Sequence, residues 1–258
     1  MITAASNSRI KRLVQLNQKS KLRRTEDVFL AEGVKMFLEA PREQLQEVYV
    51  SESFLEKCSC REHLEEVGYE VVSDSVFSKI SDTCTPQGVL CVLKQFHYNI
   101  EEMLRDKAPL FLLLENIQDP GNLGTMLRTG EGAGVSGIIM SRDTVDLYNP
   151  KVIRSTMGSI YRVPFYYVED FAAAVHQVQQ AGVSVYAAHL RGKNSYACQD
   201  YTKGTAFLIG NEGNGLREET AELADCYIRI PMEGKVESLN AAVASSILMY
   251  EAHRQRAI

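Results

Sequence analysis

The chain lacks several things, and each absence excludes a class of protein. No apolar run approaches the roughly 18 residues that a membrane span needs, so no segment reads as transmembrane. The N-terminal stretch MITAASNSRIKRLVQL has no continuous apolar core of the kind that a secretory signal carries. The expectation is a cytoplasmic protein with no membrane partner. Cysteines stand at 58, 60, 84, 91, 198 and 226 but form no C-x-x-C pair. Cys58-Ser59-Cys60, with His63 nearby, has no second ligand pair at zinc-finger distance. Reduced thiols and no metal are expected. Internal repeats and low-complexity stretches are also missing. An excess of positive charge is lacking too: 28 Lys+Arg stand against 33 Asp+Glu, a net charge of −5. That balance argues against a protein that coats nucleic acid nonspecifically, while leaving room for a local basic site.

What is present is ordinary for a soluble globular protein, with 45% hydrophobic and 24% charged residues in 258. That length supports one large domain or two moderate ones, each with its own core. The charges are unevenly placed. Residues 1–25 carry Arg9, Lys11, Arg12, Lys19, Lys21, Arg23 and Arg24 and no acid, a local +7 that leaves −12 for the remainder. Such asymmetry points to an anionic partner; a solvated helix face is the plain alternative.

Apolar runs alternate with helical patterns, the mark of an α/β protein. VFLAEG (28–33), EVYVS (47–51), YEVVS (69–73) and GVLCVLK (88–94) read as strands of a first part. The polar segment 94–109, ending at Pro109, holds the domain boundary. Beyond it, LFLLLE (110–115), GIIM (137–140), VPFYYV (163–168), VSVYAA (183–188), TAFLIG (205–210) and CYIRI (226–230) read as strands of a parallel sheet. Asp119-Pro120-Gly121 reads as a tight turn before a helix, and Asn149-Pro150 as an N-cap and first-turn pair. A last helix is expected from Ser238, burying Leu239, Ala242, Val243, Ile247 and Tyr250.

In open parallel sheets, ligands bind beyond the carboxyl ends of the strands, and three segments there stand out. The first, NIQDPGNLGTMLRTGEGAG (116–134), offers Asn122 at the head of a helix and Arg128 within it. Its Gly132-Ala133-Gly134-Val135-Ser136-Gly137 satisfies G-x-G-x-x-G, but it lies after a helix and before a strand. That order is the reverse of the dinucleotide context, so the segment is rejected as a nicotinamide-cofactor fingerprint. The second, LIGNEGNGL (208–216), has glycines that let main chain approach a ligand, with no Lys-Ser/Thr of a P-loop. Glu212 in it disfavours a phosphate and suits a hydroxyl, an amine or a positive centre. The third, IRIPMEGKVESLNAA (228–242), leads from a strand stop at Pro231 to Ser238 as helix N-cap and Asn240 in the first turn. The Asn240 amide can donate and accept toward a ligand.

Taken in order, DPGNLGTMLR, GNEGNGL and IPMEGKVESLN resemble the three motifs of the SpoU (TrmH-type) branch of the SPOUT methyltransferases, over about 120 residues. Residues 6–40 resemble, more loosely, the small L30e-like substrate-binding domain that precedes the catalytic domain in several members. The resemblance implies an RNA-binding domain over 1–98, a linker over 99–108 and a SPOUT methyltransferase domain over 109–258. The latter would be a parallel sheet with a C-terminal trefoil knot. It implies an S-adenosylmethionine-dependent RNA 2′-O-ribose methyltransferase working as a homodimer, on ribosomal RNA before transfer RNA. Two rivals stand beside it: a nucleotide-binding oxidoreductase, against which the context of the glycine motif argues, and a non-catalytic RNA-binding protein of this fold.

By the same resemblance, Arg128 is catalytic, with Asn122, Glu212, Ser238 and Asn240 shaping the site. Ala187, Ala188, Gly210, Asn211, Gly213, Ile230 and Leu239 would hold the donor. Arg9, Lys11, Arg12, Arg23 and Arg24 would grip RNA. No metal is required. A guanidinium is normally fully protonated, so whether Arg128 takes the ribose proton or only stabilises the developing alkoxide stays open.

Overall fold

A computed structural model describes residues 1–257. The chain divides into two compact units, Met1–Phe96 with Asp146–Tyr161, and His97–Val145 with the chain from Arg162 onward.

In the first unit Asn7 opens α1 (Ser8–Gln18) by accepting from the Arg9 N–H at 2.9 Å. Ile10, Leu13 and Leu16 recur at helical spacing and are fully buried. There follow α2 (Ser20–Glu26), β1 (Val28–Glu32), α3 (Val34–Leu38), β2 (Leu45–Ser51), α4 (Glu52–Lys57), α5 (Arg61–Val67), β3 (Glu70–Val72), α6 (Asp74–Ile80) and β4 (Val89–Lys94). The sheet order is β1-β4-β2-β3. β4 runs antiparallel to both β1 and β2, whereas β3 is parallel to β2. Val76, Phe77 and Ile80 of α6 join α1 and the sheet in one core.

The second unit begins with α7 (Ile100–Met103) and continues through β5 (Leu110–Leu114), α8 (Pro120–Ala133) and β6 (Gly137–Ser141). The chain then crosses the first unit, where α9 (Pro150–Thr156) lies. It returns with β7 (Phe165–Val168), α10 (Phe171–Gln180), β8 (Ser184–Ala188), β9 (Asn194–Ser195), β10 (Thr205–Ile209), α11 (Glu218–Ala221), β11 (Cys226–Arg229) and α12 (Ala241–Arg256). The sheet order is β7-β6-β5-β10-β8-β11-β9, with every neighbouring pair parallel. β5 and β10 lie at its centre and every one of their residues is buried. That burial explains why both read as unbroken apolar runs. β9 has two residues, too few to carry a strand pattern.

The structure moves two helix starts. α8 begins at Pro120, so Asp119 is its N-cap, accepting from the Asn122 N–H at 2.8 Å, and Asp119-Pro120-Gly121 is no separate turn. α12 begins at Ala241: its cap is Asn240 and not Ser238. The expected stripe of α12 also shifts, because Ala242, Ser245, Leu248, Met249 and Ala252 are buried while Val243 and Tyr250 are about half exposed. That buried stripe is the one that packs on α8, the main partner of α12. The G-x-G segment is likewise structural: Gly134 takes the left-handed conformation, φ +75°, that closes α8. Among the described residues no helix is long and apolar enough to cross a membrane.

Candidate active site at the carboxyl edge of the parallel sheet

The register brings three loops to one edge. Leu114 pairs with Ile209, Ala187 with Leu208, and Ala188 with Ile228. The strands β5, β10, β8 and β11 therefore end at a common level, and the segments after them share one side of the sheet. This is where the order of an open parallel sheet leaves room for a ligand.

A hydrogen-bonded chain joins the three motifs there. The Asn240 amide oxygen accepts from the Ala242 and Val243 N–H groups at 2.9 and 3.2 Å. Its Nδ2 is thereby turned outward and donates to Asn122 Oδ1 at 2.9 Å. Asn122 Nδ2 donates to Glu212 Oε1 at 3.0 Å. Glu212 also accepts from the Gln118 and Asp119 main-chain N–H groups, both at 3.0 Å. Burial works against the Glu212 charge, but the Asn122 amide and these two N–H groups outweigh it and hold the carboxyl below its usual 4.5. Both carboxylate oxygens thus brace the loop after β5.

Gly210 is required by the shape of the next loop. A Cβ on it would lie closer than 3.0 Å to Leu216 N and to the Gly215 carbonyl. The crowding arises because Asn211 and Gly215 close a tight bridge, N–H to O at 3.0 and 2.9 Å. Asn211 also accepts from the Gly213 and Asn214 N–H groups and donates to the Asn116 carbonyl at 2.9 Å. Its side chain shapes the loop.

A cleft of about 310 Å³ opens between these segments. Of the expected donor residues Ala188, Gly210, Asn211, Gly213, Ile230 and Leu239 line it, as do Glu212 and Ser238. Ala187 lies beneath, fully buried in β8. Asn122 and Asn240 are not among the residues that line it. Arg128 is not part of the wall. It stands six residues beyond Asn122, about 240° round α8, exposed, and without a partner among the described residues.

Sequence reasoning missed residues that the fold brings in. Glu115, 1% exposed at the end of β5, accepts from the Arg217 N–H at 2.8 Å and from Thr220 Oγ1 at 2.5 Å. It therefore ties down the far end of the 210–217 loop. An acid closing an apolar strand was the available signal. His189 and Leu190 also line the cleft, and their place just past a strand end could have marked them.

The basic segment divides. Arg23 is 3% exposed and donates to the Leu16 and Asn17 carbonyls and to Asp146 Oδ2, the last at 2.6 Å. It is a structural residue, which corrects its placement in an RNA-facing set. Arg12 is half-buried and held by Glu26 and Glu47, both at 2.7 Å. Arg9 pairs with Glu70 at the surface. Lys11 and Arg24 are exposed without partners among the described residues, and so are Lys19 and Lys21. Among the described residues no group of three His, Cys, Asp or Glu side chains could hold a metal.

Residues 109–250 match the SpoU rRNA Methylase family, and residues 7–91 match the MRM3-like substrate binding domain. The chain is 32% identical over 252 residues to the 23S rRNA (guanosine(2553)-2′-O)-methyltransferase RlmP of Bacillus subtilis, covering 96% of this chain and 97% of that one. It is 34% identical over 183 residues to the 23S rRNA (guanosine-2′-O-)-methyltransferase RlmB of Ralstonia nicotianae, covering 69% of this chain and 74% of that one. An AdoMet-bound rRNA methyltransferase from Sinorhizobium meliloti superposes with a TM-score of 0.84 at 31% identity, over 98% of this chain and 97% of that one. The SpoU methyltransferase AviRb of Streptomyces viridochromogenes, in complex with AdoMet, gives a TM-score of 0.88 at 27% identity, over 97% and 98%. A family match that spans more than half the chain, on a sheet whose three motif loops meet at one edge, places the protein: it belongs to the SpoU rRNA methylase family.

Proposed function

We propose that the chain transfers a methyl group from S-adenosylmethionine to a ribose 2′-hydroxyl of RNA, ribosomal RNA in the first place. The observation that carries this is the Asn240–Asn122–Glu212 chain, which locks three separate loops around one cleft. The cleft fits a nucleoside-bearing donor. Gly210 brings main chain against it, and Ile228, Ile230 and Leu239 give it apolar walls.

When bound, the donor supplies an electrophilic methyl on a sulfonium centre. The chain's task is to align the ribose oxygen and to stabilise its developing negative charge. Arg128 is suited to the second part, because its guanidinium has no intramolecular partner to give up. Asn122 and Glu212 hold the loop after β5, and Asn240 sets the head of α12, so the walls stay fixed during transfer. Ser238, exposed on the rim, is free to contact the substrate.

Residues 1–98 act as an L30e-like RNA-binding domain joined through 99–108 to the catalytic domain over 109–258, whose C-terminal part is threaded as a trefoil knot. The enzyme works in the cytoplasm as a homodimer. The half-exposed Val243 and Tyr250 of α12 offer an apolar face for a second copy. Similarity to RlmP through nearly the whole length favours ribosomal over transfer RNA.

Incubating the chain with methyl-labelled donor and total RNA, then mapping 2′-O-methyl sites, tests the activity and finds the target. Arg128→Ala is expected to abolish transfer while donor affinity stays within about twofold. An active variant refutes the role of Arg128, and no label in any RNA favours the non-catalytic alternative.

A further inference from the structure

His189 is the first residue beyond β8, and it lines the donor cleft. Its main-chain N–H donates to the Ile228 carbonyl at 3.0 Å, fixing it against β11. The ring lies over Tyr227, with centroids 5.0 Å apart. Nδ1 accepts from the main-chain N–H of Arg191 at 3.2 Å. A ring nitrogen that accepts is unprotonated, so the proton of the neutral imidazole is on Nε2. Nε2 has no partner among the described residues. Burial, and then the Arg191 charge, hold the imidazole below its usual 6.5, with Glu218 opposing. The charged and titratable groups around it are Arg191 on its own segment, Glu218 of α11, which pairs with Arg191, and Tyr227 of β11.

We propose that His189 is a donor-binding residue, whose Nε2–H donates to an acceptor on the adenosyl moiety. The inference rests on the donor cleft proposed above and adds a contact to it. Protonating Nδ1 would break the bond from Arg191 and set a cation in a cleft that takes a sulfonium. Affinity for S-adenosylmethionine therefore falls as pH drops below 6.5, while S-adenosylhomocysteine, which lacks the sulfonium charge, loses less.

The test is calorimetric titration of the full chain with each compound between pH 7.5 and 5.5, for wild type and His189→Asn. Asparagine keeps an acceptor near the Nδ1 position for the Arg191 N–H but does not reach as far as Nε2. His189→Asn is expected to weaken donor binding about five- to tenfold at pH 7.5, the worth of one hydrogen bond. Its thermal midpoint should be unchanged and its acid-side loss flattened. A variant that binds like wild type at both ends of the range overturns the role of His189. Wild-type protein that binds neither compound at pH 7.5 overturns the donor cleft itself, and His189 with it.

Discussion

Replacing Gly210 by alanine is the sharpest perturbation of the cleft. The new Cβ would fall closer than 3.0 Å to three main-chain atoms, Leu216 N and the Gly215 carbonyl carbon and oxygen. No side-chain rotation relieves this, because every obstacle is backbone. Residues 215 and 216 must move outward by several tenths of an ångström or more. That opens the Asn211–Gly215 bridge with its two hydrogen bonds, each worth about 1 kcal/mol, and drags the buried Leu216 from its neighbours in the core. Together the loss is about 3 kcal/mol. At roughly 2–4 °C per kcal/mol for a domain of this size, the second unit should melt several degrees lower. Donor affinity should fall at least tenfold, since the displaced loop is the cleft wall. Gly213→Ala is the matched control for stability: its Cβ meets only Asn211 Oδ1, at an ordinary 3.5 Å. Thermal unfolding of both variants, with calorimetric donor titration of Gly210→Ala, makes the measurement. If Gly210→Ala melts and binds donor like wild type, the close approach at Gly210 does not hold the loop, and the reasoning fails.

Other consequences are as direct. Arg23→Ala should destabilise the first unit by about 2–4 kcal/mol in denaturant titration, because it strands two carbonyls and Asp146; an unchanged midpoint would contradict its structural role. Neutralising Lys11, Lys19, Lys21 and Arg24 together should instead leave the melt intact. It should weaken RNA binding and make the salt dependence shallower, by up to about 0.7–0.9 in log–log slope for each phosphate no longer neutralised. Filter-binding at several salt concentrations reads both quantities. Glu212 has a lowered carboxyl value, so its contribution is complete above about 4.5, its ordinary value, and is lost as pH falls through the lower folded value. Donor binding should therefore decline at acid pH in wild type, and Glu212→Gln should lose that part of the decline.

Most of the fold was legible because burial leaves a mark on local composition. The central strands β5 and β10 are covered on both faces and so are spelled as apolar runs, and Gly134 closes a helix before a strand, as its place in the sequence indicated. The helix starts were less legible. Asp119 and Asn240 cap by side-chain hydrogen bonds that compete with equally plausible neighbours, and only the folded chain decides which residue wins. Ser238 is as good a cap by type as Asn240, but only Asn240 sits where its free amide reaches Asn122.

The charge asymmetry shows the same division. By itself the sequence determined that residues 1–25 are basic, that three motifs follow strands of an α/β sheet, and which residue types those motifs hold. Those facts depend on spacing and composition, which local order preserves. The tertiary structure decided what each charge is for. Arg23 and Glu212 have their charges satisfied inside the protein, whereas Arg128, Lys11 and Arg24 are left without partners for an external anion. Partners such as Asp146 for Arg23 and Asn122 for Glu212 lie 123 and 90 residues away along the chain. Pairings over such separations are set by how strands and helices pack, and no local pattern carries them.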